Sequence, residues 1–325
     1  MDYNTPKALL KKYFDGHSSL QEEEELREFF SSTSEIPNEL LQAKAVFNYF
    51  KDSRNIQFPE PESKKKQFTI PRIPAIAATA AIFIGISLLA MKLTTGTLHP
   101  AIFNKTIVAM NDDLAVKKVL LPDNNMVWLN KNSGVRYPKR LRKKNNAVSV
   151  YGEVYFELLG KTQPAYYVLA ENAYIKPESG SAFNIQADPN KESIEVCVET
   201  GAITVSEKGD RNGLALLVTA GNYCSVHKNQ KLLFAATNTN SNYLSWKTGT
   251  LFFKDTHLAT VRDALAKYYD VQIELKEKSL AYCRFSGEFK EKPLIDILNQ
   301  IRSEFKFDIH FREDIITLSG KGCLP

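Results

Sequence analysis

Residues 73–91 read IPAIAATAAIFIGISLLAM, nineteen consecutive positions without a charge in a chain that is otherwise polar. At about 1.5 Å per helical residue the run reaches roughly 28 Å, close to the thickness of a bilayer's hydrocarbon core. Pro74 falls where a first-turn proline is tolerated, and Lys92 closes the far end with a side chain long enough to reach the headgroups. The run predicts one transmembrane helix over 73–92. Its six alanines, Thr79 and Ser87 make it only moderately apolar, so a buried core helix is the alternative. A cleaved signal peptide fits less well than either, since such peptides begin at the N-terminus and more than seventy residues precede this run.

Charge sets the expected orientation. The twenty residues before the run carry Arg54, Lys64, Lys65, Lys66 and Arg72, and the twenty after it carry Lys92 and Lys105. Basic residues favour the cytoplasmic side, so the N-terminus is expected inside and the C-terminus outside. The net charge of +5 also divides unevenly: −5 over residues 1–63, +4 over 64–72 and +6 over the remainder. An acidic head repels nucleic acid and attracts a basic protein partner.

Three helical patterns precede residue 52. The first runs from Pro6 to Phe14 and stops at Asp15-Gly16. The second opens with Ser19 and Glu22 at capping-box spacing, with Glu22 to Glu25 in its first turns. The third begins near Pro37 and carries Leu40, Leu41, Ala45, Val46, Phe47, Tyr49 and Phe50. About fifty residues make a small core, so these helices either pack as a marginal bundle or complete their folding on a partner. The candidate contact residues are Leu9, Leu10, Phe14, Leu26, Phe29, Phe30, Phe47 and Phe50. Residues 53–72 are rich in proline and charge without a period, and read as a linker.

From about residue 106 the pattern becomes short alternating runs. Residues 117–121 and 126–130 flank a PDNN turn and read as a hairpin, with Trp128 expected in the core. In 148–158, Val148, Val150, Gly152, Val154, Phe156 and Leu158 share one face, while Ser149, Tyr151, Glu153, Tyr155 and Glu157 share the other. Further strands follow at intervals near ten residues, the signature of an all-β sandwich or β-roll. After Trp246 the order becomes β-α-β-β-α-β-β, expected as two helices against one sheet, with Asp255 or Thr256 capping the first helix and Pro293 opening the second. The fold expected is thus a multi-domain membrane protein. It has a small all-α cytoplasmic domain (1–52), a linker (53–72), one transmembrane helix (73–92), a periplasmic all-β domain (106–245) and a C-terminal α+β, βαββαβ domain (246–325).

The stretches KKVLLPDNNMVWLN, YGEVYFEL and GSAFNI (180–185) resemble the periplasmic FecR-type domain, whose members show "LPDGS.VWLN", "GEAYFEV" and "GT.FNV". The WKTGTLFF junction (246–253) and the tail resemble the C-terminal domain of its Bacteroidetes members, similar in layout to the short N-terminal domain of secretins and TonB-dependent receptors. Asn124-Asn125 stands where Gly-Ser is usual, Ser181 where Thr is common, and AGNYC (220–224) where "PGE" is common. The resemblance implies an anti-sigma factor. Its helices would hold an extracytoplasmic-function sigma factor, and its outer domains would sense the signalling domain of a TonB-dependent receptor that imports an iron chelate or a glycan. The signal would pass inward through envelope and intramembrane proteases, with Gly85 a point of weakness in the spanning helix. A free sheet edge in the tail is the expected receptor contact.

No catalytic constellation stands out, and no cofactor or metal is expected. The five histidines are scattered, without an HExxH or paired zinc spacing. There is no GxSxG elbow and no phosphate-binding glycine loop. Gly180-Ser181 reads as a turn into a strand, His257 as a surface or cap residue, and Asp112, Asp113, Glu153 and Glu157 as surface charge. Cys197, Cys224, Cys283 and Cys323 all fall on the proposed outer side, where disulfides are permitted; the first two read as small buried groups, and spacing leaves three pairings open. Two rival readings remain: an envelope structural or glycan-binding protein anchored by one helix, and a membrane-anchored enzyme.

Overall fold

The computed structural model describes residues 4–15, 17–33, 36–51, 106–141, 146–160, 166–207, 215–229, 233–312 and 315–323. The expected linker and membrane helix, 53–72 and 73–92, lie outside them. Among the described residues no helix is long and apolar enough to cross a membrane.

Three helices open the chain: α1 (Asn4–Phe14), α2 (Leu20–Ser32) and α3 (Asn38–Lys51). The capping box forms as its spacing predicts. The Glu22 N–H donates to Ser19 Oγ (3.2 Å), and the Ser19 N–H donates to Glu22 Oε2 (2.8 Å). Lys12 of α1 reaches Glu22 Oε1 at 2.6 Å. Hydrogen bonds from the Lys12 ammonium and from Ser19 hold the Glu22 carboxyl down at about 2. Leu10, Tyr13, Leu26, Phe30, Leu40, Val46 and Phe47 are buried together, with the Tyr13 and Phe47 rings edge-on at 4.9 Å.

The middle of the chain is a sandwich of thirteen strands among the described residues. They are β1 (Thr106–Asn111), β2 (Lys117–Leu120), β3 (Met126–Leu129), β4 (Ser133–Pro138), β5 (Asn146–Glu157), β6 (Tyr166–Ala170), β7 (Ala173–Pro177), β8 (Ala182–Ala187), β9 (Ser193–Thr200), β10 (Ala202–Glu207), β11 (Ala215–Thr219), β12 (Asn222–His227) and β13 (Leu233–Thr237). One sheet runs β1-β4-β5-β6-β7-β10-β11, and the other β2-β3-β5-β8-β9-β12-β13. All neighbours are antiparallel except β5 and β6.

The long strand β5 belongs to both sheets. Its first part pairs with β4 and β6, and its second part with β3 and β8. The change happens around Gly152, whose φ of 76° is open to glycine; a Cβ there would stand 2.5 Å from Ser133 Oγ and 2.8 Å from the Asn132 carbonyl oxygen. The alternation read from 148–158 holds: Val148, Val150, Val154, Phe156 and Leu158 all enter the core between the sheets. Phe156 and Phe183 stack there at 5.1 Å. In the β2–β3 turn Asn124 adopts the left-handed conformation (φ 65°), as the exchange of glycine for asparagine allows. Asn125 next to it is buried and bonds Tyr166 Oη (2.9 Å) and the Leu159 N–H (2.7 Å).

A one-turn helix, α4 (Ser245–Thr248), leads into the last domain. There follow β14 (Thr250–His257), α5 (Leu258–Tyr269), β15 (Gln272–Leu275), a 3-10 turn (Lys278–Tyr282), β16 (Arg284–Lys290), α6 (Leu294–Phe305), β17 (Asp308–Arg312) and β18 (Ile315–Ser319). The order of elements is the expected one, but the strands form two sheets rather than one: β14-β16, and β15-β18-β17. Leu258, Val261 and Leu265 of α5 and Ile297, Leu298 and Ile301 of α6 bury one continuous core against both. The cap of α5 also differs from expectation. Thr256 and His257 stay in the ladder opposite Phe285 and Arg284, so His257 takes the cap position and makes no side-chain cap bond. Asp255 bonds Arg284 instead (2.9 Å). Pro293 does precede the second helix.

Of the three cysteine pairings, the structure takes Cys283–Cys323, with Cα atoms 5.0 Å apart, and leaves Cys197 and Cys224 as buried free thiols. Three hydrogen bonds pin the same C-terminal segment. Ser279 Oγ donates to the Lys321 carbonyl (2.8 Å), the Cys323 N–H to the Ser279 carbonyl (3.1 Å), and the Gly320 N–H to Glu277 Oε2 (2.8 Å).

Candidate interaction surfaces

The helices divide the eight predicted contact residues. Leu10, Leu26, Phe30 and Phe47 are buried in the helices' own core, while Leu9, Phe14 and Phe29 lie at its margin, partly exposed. The side chain of Phe50 lies outside the described residues. Leu41, on α3, is 49% exposed and is not among the eight, because in a helix with apolar residues on several sides the sequence does not say which of them faces out.

The margin of this bundle touches the sandwich. Val108 of β1 is buried among the helical residues, and Met110 and Tyr151 pack beside it. An open pocket of about 400 Å³ lies at this seam, between Phe14, Ala43 and the β1 residues Val108 to Met110.

In the last domain β17 is an edge of its three-stranded sheet, paired with β18 alone among the described strands. Phe311 on it is 61% exposed, and His310 and Arg312 flank it. An edge strand offers unpaired backbone groups, and an exposed aromatic beside them supplies apolar contact.

The outer face of the second sheet is not the solvent-facing surface that alternation suggests. Trp128 lies here rather than in the sandwich core, edge-on to Tyr155 at 5.4 Å. Lys247 of α4 stands over both rings, 4.7 Å from Trp128 and 4.0 Å from Tyr155. The Tyr155 hydroxyl donates to Glu199, and burial together with that carboxylate pushes its acidity far below that of an ordinary phenol. Glu153 likewise is not a surface charge. Its side chain is 11% exposed and accepts hydrogen bonds from Asn130 (3.0 Å), Asn184 (3.1 Å) and Gln186 (2.9 Å), with Lys267 of α5 at 3.6 Å. Sequence reasoning missed this cluster because its cover, residues 242–247 and α5, lies some ninety residues further along. The signal present was a run of polar residues of matching parity on adjacent strands. Ser181 is buried, and its hydroxyl donates to the carbonyls of Glu178 (2.9 Å) and Ala202 (2.7 Å), in keeping with a turn residue. Among the described residues no three His, Cys, Asp or Glu side chains are placed to hold a metal ion.

Three family profiles match consecutive parts of the chain: the anti-sigma factor N-terminal domain over residues 7–58, the FecR protein over 113–205, and the FecR C-terminal domain over 250–318. No curated protein matches it significantly. Two crystal structures of candidate anti-sigma factors from Parabacteroides distasonis ATCC 8503 have the same fold. One is 22% identical, with a TM-score of 0.50 over 67% of this chain and 100% of that one. The other is 23% identical, with a TM-score of 0.50 over 66% and 99%.

Proposed function

The chain is a FecR-type anti-sigma factor, a regulator and not an enzyme, and from that premise we propose that it spans the bacterial inner membrane once. In this reading the helices bind an extracytoplasmic-function sigma factor inside, and the last domain meets the signalling domain of a TonB-dependent receptor outside. The observation that carries this is the order of parts: an acidic helical segment, the uncharged run 73–91 with its basic N-terminal flank, and then the two FecR segments. The disulfide Cys283–Cys323 supports an oxidising compartment for the tail.

Across a bilayer, α1 and α3 part from β1. The apolar margin that Val108 covers, around Phe14 and Ala43, then becomes available to a basic sigma factor, together with partly exposed Leu9 and exposed Leu41. Outside, the edge of β17 accepts a receptor strand. In this reading the output is release or destruction of the inner segment by envelope and intramembrane proteases. Co-purification of the full chain with a host sigma factor of this class tests the inner half. Replacing Leu9 and Phe14 with Asp weakens that capture at least about tenfold if the margin is the contact. Phe311→Glu does the same for capture of the receptor domain, at unchanged melting temperature.

One observation favours a second arrangement: Val108 is buried on the helices, which requires helices and sandwich to share a compartment. Alkaline phosphatase and fluorescent-protein fusions after residue 51 and after residue 323 separate the two. Opposite compartments support the spanning reading, and a shared compartment overturns it.

A further inference from the structure

Edge strands in native proteins are guarded against pairing with other chains, most often by charge. Most edges of this molecule obey that rule. β2 carries Lys117 and Lys118, and Lys117 Nζ donates to the Met110 carbonyl near the end of β1 (2.6 Å). β15 carries Glu274, β17 carries Asp308 and Arg312, and β14 and β16 each hold charges of both signs. The far end of the sandwich breaks the rule. There the two sheets end in β11 and β13, which lie side by side, each paired with one strand alone among those described. Neither holds a charge, and no Asp, Glu, Lys or Arg occurs in residues 212–227 or 232–246. Their apolar groups are not all turned inward. Phe234, Ala235, Ala236 and Thr237 of β13 are exposed, and Leu217 of β11 is 61% exposed. Tyr223 of β12 stands edge-on to the Phe234 ring at 6.1 Å.

The sequence of β13 is complementary to itself. An antiparallel pairing with a second copy, centred on the middle of the strand, sets Leu233 against Thr237, Phe234 against Ala236, and Ala235 against Ala235. This is the register that pairs every residue of the strand. Residues directly opposite hold their Cβ atoms about 4.5–5.5 Å apart. At the two-fold axis, where a residue meets its own copy, alanine brings neither bulk nor like charge. One step to either side, the large ring of Phe234 meets the methyl group of Ala236. A neutral edge exerts no pull on a partner of either sign, so shape decides the occupant, and the same strand supplies that shape. We propose that two copies of this chain join through β13, in a two-fold antiparallel pairing that makes one continuous sheet of their second sheets. Five residues a side are few for a stable interface, and the uncharged edge of β11 beside β13 extends the contact. The pairing uses neither β17 nor the helices, so it stands apart from receptor and sigma-factor binding.

Light scattering of the full chain in detergent, which reads protein mass apart from the micelle, tests this. The native sequence is expected at twice the mass of one chain. Ala235→Lys and Ala235→Asp each set like charges face to face across the two-fold axis, and each raises the dissociation constant at least about tenfold. An equimolar mixture of the two variants sets opposite charges there and recovers the double mass. Ala236→Lys, on the other face of the strand, sets an ammonium against the second copy's Phe234 and repeats the loss, which keeps the test open should position 235 tolerate no charge. Far-UV circular dichroism checks that each variant is folded. A single-chain mass for the native sequence overturns the proposal. So does a double mass that the folded variants all keep, or a mixture of folded Ala235→Lys and Ala235→Asp that stays at the single mass.

Discussion

Single residues set the geometry of the sandwich at a few points. Gly152 combines a left-handed φ with a backbone approach that leaves no room for a Cβ. Gly152→Ala is expected to destabilise the domain by about 2–4 kcal/mol, read from urea denaturation, because it adds backbone strain to a clash with Ser133 and Asn132. The two free thiols make a second prediction. Burial pushes both Cys197 and Cys224 up to about 12, with Glu195 adding to the effect on Cys197. At pH 8 their thiolate fraction is roughly one in ten thousand, so a disulfide reagent labels neither in the native protein and both after denaturation. At this scale the sequence was legible where one residue type answers one constraint, as in the asparagine of the β2–β3 turn. It was not legible for Glu153 or Trp128, whose burial depends on what a distant segment lays over them.

Elements were read more fully, since alternation and capping are local. The hairpin, the Ser19–Glu22 box, the inward face of β5 and both helices of the last domain stand where periodicity puts them. The number of sheets in the last domain was not legible, because β14 pairs with β16 across a helix and an intervening strand, and residue spacing does not encode that choice. Nor did spacing choose the cysteine pair. The bridge closes a loop of 40 residues over the 3-10 turn, and its reduction should cost the last domain about 3–4 kcal/mol by loop entropy. Calorimetric melting with and without a thiol reductant measures this. The lower-melting transition belongs to the last domain, and Cys323→Ser reproduces it without reductant.

At the scale of the whole molecule, the cores of the sandwich and of the last domain form clusters separate from that of the helices, which meets the sandwich through Val108, Met110 and Tyr151. A fragment spanning 106–325 is therefore expected to be soluble and to unfold cooperatively, with the helical signal near 222 nm reduced to that of α4–α6. Failure of this fragment to fold would show that the helices are integral to the sandwich. The apolar run 73–91, which most constrains the chain, bears on topology alone, and fusion reporters decide it. The strand common to both sheets carries a further consequence for turnover. Tearing away either sheet tears β5 from the other, so a protease gains no stable half-domain at which to pause. An attack that succeeds at all runs through the sandwich in one sweep, and the cell reads this part of the molecule as either intact or gone.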